Sequence, residues 1–157
     1  MSSMATPAPP VRIRLERGQL SDVTLAAVLG CVARHPPFAG FSFGLMVDRL
    51  REQLRHGACV LAIEDGQLVG YAGWVRVQEA SARQWQAGQA EMPPADWGQG
   101  GAVIVTVTVV ERRPVLVPLL HAISHVCAGL PVYRMRSFQD GRPDMRRPAI
   151  TGRRYAF

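Results

Sequence analysis

The segment Cys59–Val77, CVLAIEDGQLVGYAGWVRV, is the strongest constraint on what this chain can fold into. Two apolar runs flank Glu64-Asp65-Gly66-Gln67. An Asp-Gly pair between such runs is a tight-turn signal, so the segment predicts a β-hairpin. Downstream, Ala102–Val110 (AVIVTVTVV) is dense in β-branched residues and predicts a buried central strand. It runs into a charged turn, Glu111-Arg112-Arg113-Pro114, and then into an apolar helix over Val115–Ala128 that Gly129 closes. Strands followed by helices in this order predict an α/β fold with helices packed on a central sheet.

The rest of the chain supplies more elements. Val11–Leu15 alternates and predicts a first strand or an extended lead-in. Ser21-Asp22 is an N-cap signal for a helix over Val23–Ala33, which Arg34-His35-Pro36-Pro37 ends. Gly44–His56 places Leu45, Met46, Leu50 and Leu54 at helical spacing, with Gly57 suited to the position after the last turn. Gln78–Gln99 is polar and contains Pro93-Pro94, so it predicts a helix fragment plus loop. Val132–Phe138 alternates and predicts a further strand. Gln139–Phe157 is rich in Arg, Pro and Gly and predicts irregular chain, with a final strand at Tyr155–Phe157.

Length and composition narrow the class. At 157 residues, 48% of them hydrophobic, the chain predicts one domain with a substantial core. No apolar run approaches the roughly eighteen residues of a membrane span. Residues 1–10, MSSMATPAPP, carry neither a basic region nor an apolar one, so the expectation is a flexible N-terminus, no secretory signal and a cytoplasmic location. Three cysteines without CxxC spacing argue against a disulfide framework and a zinc site. The formal net charge is +6, and all 18 basic residues are Arg. A basic surface suits nucleic acid or an acidic protein. The aromatics are not interleaved with Arg and no nucleic-acid-binding signature occurs, so nucleic acid is not expected; the Arg-rich tail (Arg142, Arg146, Arg147, Arg153, Arg154) is its one opening.

Several residues can carry chemistry. His35 sits where a helix ends at a Pro-Pro loop, a place from which a general base reaches substrate, but also one where the helix macrodipole favours His. His56, beside Gly57, fits a helix end better. His121 and His125 are spaced i, i+4, yet HAISH lacks the Glu of HExxH and no third ligand follows at a matching distance, so no metal site is expected. Arg112 and Arg113 precede a helix start, where amide N–H groups and guanidinium groups attract phosphate; a solvated charged turn explains them equally. Trp74, Trp85 and Trp97 either line an acyl channel or anchor the core.

Taken together, these blocks resemble the GNAT layout, and within it the RTX toxin-activating lysine acyltransferases. The resemblance runs from about Leu29 to Arg136. It rests on His35 with its Pro/Phe loop and the helix to His56. It rests also on Leu68-Val69-Gly70-Tyr71-Ala72-Gly73-Trp74, similar to a "P-V-A-Y-x-S-W" segment, and on Ala95-Asp96-Trp97-Gly98-Gln99-Gly100, similar to "D-W-x-x-G". The resemblance implies a single GNAT-like domain over residues 11–157 with a mixed central sheet. It implies transfer of a fatty acyl group from acyl carrier protein to a lysine-type amine of a protein toxin or ribosomal peptide, and a homodimer. The family's catalytic His maps onto His35. Its catalytic Asp, in an "I-D-W-I-A-P-F-G"-like segment, maps onto Thr108, or onto Val107 with a different gap. Thr108 and Glu111 are then the groups available to replace that acid. No Gly lies between Ala102 and Gly129, where acetyltransferases of the GNAT type use a Gly-rich turn; this favours acyl carrier protein over acyl-CoA as donor. Arg112 and Arg113 would meet the phosphopantetheine phosphate, and Trp74 the acyl chain. The alternative is a catalytically degenerate module that binds a carrier protein or peptide without turnover.

Overall fold

Asp65 and Gly66 both take positive φ, 50° and 75°. That is the backbone of a two-residue hairpin turn whose twist matches its strands, which is why an Asp-Gly pair occupies it. It joins Cys59–Glu64 to Gln67–Val77. The computed structural model describes residues 12–136 and 144–146. In chain order its elements are β1 (Arg14–Arg17), α1 (Asp22–Val32), α2 (Phe43–Arg55), β2 (Cys59–Glu64), β3 (Gln67–Val77), α3 (Glu79–Gln86), β4 (Ala102–Val110), α4 (Leu116–Val126) and β5 (Val132–Tyr133), with short 3-10 turns at Phe38–Gly40 and Arg113–Val115.

The strands form one five-stranded sheet in the order β1-β2-β3-β4-β5. The first three pairings are antiparallel and β4–β5 is parallel, the two strands being joined through α4. Alternation assigns the two faces. Val60, Ala62, Ala72, Trp74, Val103 and Val105 pack with Leu119 and Ile123 of α4. Leu61, Tyr71, Val107 and Val109 pack with Val28 and Val32 of α1 and Leu50 and Leu54 of α2. Ile104, Val77 and Tyr133 close a smaller cluster with Ala82 of α3.

The caps follow the sequence. The Ser21 hydroxyl accepts the Thr24 N–H at 3.0 Å, satisfying one of the amides that a helix start leaves free. Ser21→Ala is expected to lower stability by about 1 kcal/mol, read as a lower urea midpoint at unchanged slope. Gly57 ends α2 at φ 59°.

One departure from the expected elements matters. Of the expected strand Val132–Phe138, the described residues form strand at Val132–Tyr133, which pair with Val103 and Ile104, and not at 134–136. The cause lies in β4: Trp74 pairs with Val105 and Gly73 with Val107, so Thr106 is an extra residue between them, a β-bulge. A bulge bends its strand and sharpens the local twist, turning the outer edge of β4 away from the path of β5. Beyond Ile104 that edge has no strand partner among the described residues. The D-W-x-x-G block lies, as expected, in the loop between α3 and β4. Asp96 takes the Gln99 N–H on its side chain (3.1 Å) and the Gly100 N–H on its carbonyl (3.0 Å), tying a turn to the end of β3. A Cβ at Gly100 would lie 2.7 Å from the Asp96 carbonyl oxygen and from the Val77 backbone, so the close approach requires glycine. Residues 1–11, Ser137 and Phe138, and the expected strand at Tyr155–Phe157 lie outside the described residues.

Candidate active site

The parting of β4 from β5 opens a cleft of about 450 Å³. Val105, Thr106 and Thr108 of β4 face it from one side and Arg134 and Met135 from the other, with Pro36 and Pro37 at one end. Arg49, Met92 and Thr106 also line a second cavity of about 340 Å³, between α2 and the loop carrying Trp97. The two cavities therefore meet at the bulge.

A buried polar chain underlies that junction. Tyr71, wholly buried, donates its hydroxyl to Gln53 Oε1 at 2.8 Å, and Gln53 Nε2 donates to Thr106 Oγ1 at 2.7 Å. Thr106 Oγ1 in turn lies 3.4 Å from the Gly73 carbonyl oxygen. Gly73 leaves the room for this: a Cβ there would fall 2.1 Å from Gln53 Oε1. Burial and the neighbouring Cys59 push the Tyr71 hydroxyl far above its usual range, so it stays a donor.

His35 sits beside the same cleft, directly before Pro36, but its ring is not among the lining groups. Its Nδ1 is 2.8 Å from the Cys31 carbonyl oxygen. A carbonyl only accepts, so Nδ1 carries the proton and Nε2 keeps its lone pair in the neutral ring. Nε2 lies 3.8 Å from Glu111 Oε2. The Arg34 guanidinium donates to Glu111 Oε1 at 2.5 Å, and the Cys31 thiol lies 3.8 Å from the same oxygen. The polar partner that the fold supplies to His35 is thus Glu111, at the end of β4, rather than Thr108. Thr108 stands on the cleft wall with its hydroxyl unpaired among the described residues.

Arg34 holds the Glu111 carboxyl below its ordinary range, chiefly through that hydrogen bond and against some desolvation. A carboxyl depressed by folding stabilises the fold above its unfolded-state value, and that contribution disappears as pH falls through the folded value. Arg34→Gln is therefore expected to raise the Glu111 midpoint in an NMR side-chain titration, and to make stability less dependent on pH in the acid range. Burial, with the Glu111 charge adding to it, pushes the Cys31 thiol up to about 11, so it stays protonated and is no nucleophile at neutral pH. Cys31, His35 and Glu111 put sulfur, nitrogen and oxygen within 4.8 Å of one another, a spacing that could hold a metal ion, with Arg34 donating to Glu111 Oε1 beside it. His121 and His125 are exposed on α4 and take no part in it.

The remaining candidates scatter. Trp74 is 5% exposed within the α4-side core and lines neither cavity; the pleat turns it inward with Ala72, so it packs rather than binds. Trp85 lines the cleft, and Trp97 lines the second cavity while stacking on His56 at 4.3 Å. Arg112 is engaged by Glu64 across the hairpin end. Arg113 is exposed and pairs with no described residue. Arg146 pairs with Asp144, and the other arginines of the tail lie outside the described residues. Sequence reasoning left Glu111 as an option for the acid and did not single out Arg49, Thr106 or Arg134. Thr106 is the fourth residue of an unbroken β-branched run after Ala102 and carries no local mark of a bulge.

An antiparallel sheet with one parallel edge strand, parted at a β4 bulge over a cleft, can now be set beside known structures. No family model and no curated protein matches the sequence. Among solved structures, the chain is similar to a GNAT-family acetyltransferase from Streptococcus agalactiae 2603, with TM-score 0.58 and 10% identity over 82% of this chain and 78% of that one. The fold is GNAT-like. Two further GNAT-like neighbours are the GphF GNAT-like decarboxylase in complex with isobutyryl-CoA (TM-score 0.55, 20% identity) and the loading GNATL domain of CurA from Lyngbya majuscula (TM-score 0.54, 11% identity). This chain is covered over 79% in both cases and spans 65% and 64% of theirs. These identities establish the GNAT-like fold, not the toxin-activating family. Among the described residues, no helix is long and apolar enough to cross a membrane.

Proposed function

We propose that this protein is an acyltransferase that moves a fatty acyl group from a pantetheine thioester to a lysine-type side-chain amine of a protein toxin or ribosomal peptide. The observation that carries the reading is the parted β4–β5 edge, with a cleft on it and an imidazole–carboxylate pair beside it. The thioester lies along the free edge of β4. Lysine has an ordinary pKa of about 10.4 and is mostly protonated at neutral pH, so attack needs a base. One proton of the ammonium is released to water; His35 Nε2 takes a second as the neutral amine nitrogen bonds to the thioester carbonyl carbon, and the Glu111 carboxylate stabilises the imidazolium that forms. The Thr108 hydroxyl donates to the developing oxyanion. The C–S bond then breaks, and the thiol leaves with the proton returned from His35.

Coenzyme A and acyl carrier protein share the phosphopantetheine arm. Arg113, unpaired before α4, supplies a guanidinium for its phosphate. A GNAT-like neighbour holding isobutyryl-CoA gives no reason to rank acyl-CoA below the carrier protein, so both donors belong in the test. A homodimer is part of the reading, and light scattering measures it.

The experiment is intact-mass analysis of a lysine-containing acceptor peptide incubated with the protein and either acyl-CoA or acyl carrier protein. The expected result is a mass gain of one acyl group. Donor binding with no gain for any acceptor would leave the non-catalytic binding module in its place.

A further inference from the structure

Arg49 of α2 and Arg134, directly after β5, both line the cleft. Each is partly desolvated, and neither has a side-chain hydrogen bond or ion pair among the described residues. Arg136 lines the same cleft, and its charge acts on Arg134 in the same direction as the desolvation. Among the described residues the one carboxylate on the lining, Asp144, is engaged by Arg146 at 3.0 Å. Elsewhere on this chain several arginines find acids: Arg34 with Glu111, Arg51 with Asp48, Arg83 with Glu79, Arg112 with Glu64. The cleft thus collects guanidinium groups that have given up water without gaining a counter-charge among the described residues. Such an arrangement costs stability and is retained where a ligand brings the opposite charge. Thr108 adds a free hydroxyl beside them.

We propose that the cleft holds an anionic group of the substrate, engaged by Arg49 and Arg134 together. The inference rests on the acyl-transfer reading and narrows its substrate class. A guanidinium fork fits carboxylate and phosphate alike. The anion therefore comes from one of two sources: a carboxylate on the transferred acyl group, or the phosphate of the pantetheine arm, which would then seat here and not at Arg113.

The test uses the full chain and its Arg49→Gln and Arg134→Gln variants. Calorimetry measures the binding of butyryl-pantetheine, succinyl-pantetheine and 4′-phosphopantetheine at fixed ionic strength. Each substitution is expected to weaken the charged ligand by about tenfold to a hundredfold and to leave butyryl-pantetheine unchanged. Loss confined to succinyl-pantetheine identifies the carboxylate as the source, and loss confined to 4′-phosphopantetheine identifies the phosphate. Equal weakening of all three ligands, or of none, overturns the proposal. Removal of an unpaired desolvated charge predicts that both variants melt at or above the wild-type temperature; a marked drop in both would point to a structural role and count against it. Failure of the acyl-transfer reading appears separately, as no mass gain with any donor while charge-selective binding persists.

Discussion

His35→Ala is expected to lower the acyl-transfer rate by about a hundredfold to ten-thousandfold, the range over which a positioned general base contributes. The loss should fall on kcat, because the ring sits beside the cleft rather than on its lining and contributes little to donor binding. Its Nδ1 is committed to the Cys31 carbonyl at 2.8 Å, so Nε2 is the nitrogen that accepts the proton. Glu111→Gln keeps the shape and removes the charge 3.8 Å from Nε2. It should cost less than the loss of the base, because the base remains and only the counter-ion of the imidazolium is lost. Rates within twofold of wild type for His35→Ala would remove the base from the mechanism.

Gln53→Leu is expected to destabilise the fold by about 2–4 kcal/mol, measured by urea denaturation. The substitution is close to isosteric, so the cost is not a cavity. It is two orphaned hydroxyls: Tyr71, wholly buried and donating to Gln53 at 2.8 Å, and Thr106, accepting from Gln53 at 2.7 Å. Tyr71 keeps only the Cys59 thiol, a weak acceptor, and Thr106 keeps a 3.4 Å approach to the Gly73 carbonyl. Removing both ends of one hydrogen bond costs less than orphaning either, so Gln53→Leu combined with Tyr71→Phe should lose less than the sum of the two single changes. Strict additivity would mean that the chain is not a coupled network. Because Thr106 is the bulge residue and faces both cavities, loss of its partner should also reduce donor affinity in the folded fraction.

Helix and strand identities were legible wherever local chemistry decides them. Ser21 marks the start of α1, Gly57 the end of α2, Asp65-Gly66 the hairpin, and β4 spans the residues its β-branched run predicts. The site was legible in part. His35 stands out by its place at a helix end before two prolines. In the sequence its acidic partner stays open between Thr108 and Glu111, because His35 and Glu111 are distant in the chain and meet only where α1 packs near the end of β4. Trp74 shows the same limit from the other side: an aromatic in a strand reads alike whether it faces a cleft or the core, and its pairing with Val105, just before the bulge, settles the direction.

What the chain determined alone is what a few neighbouring residues can enforce: caps, a turn that needs positive φ, a β-branched strand, and an absence of long apolar helices among the described residues. What the tertiary structure decided is where the sheet opens and which charges are left unpaired there. Both depend on long-range register. A single extra residue at Thr106 parts β4 from β5, and the gap between them gathers Arg49 and Arg134 from distant segments with no acid of their own among the described residues.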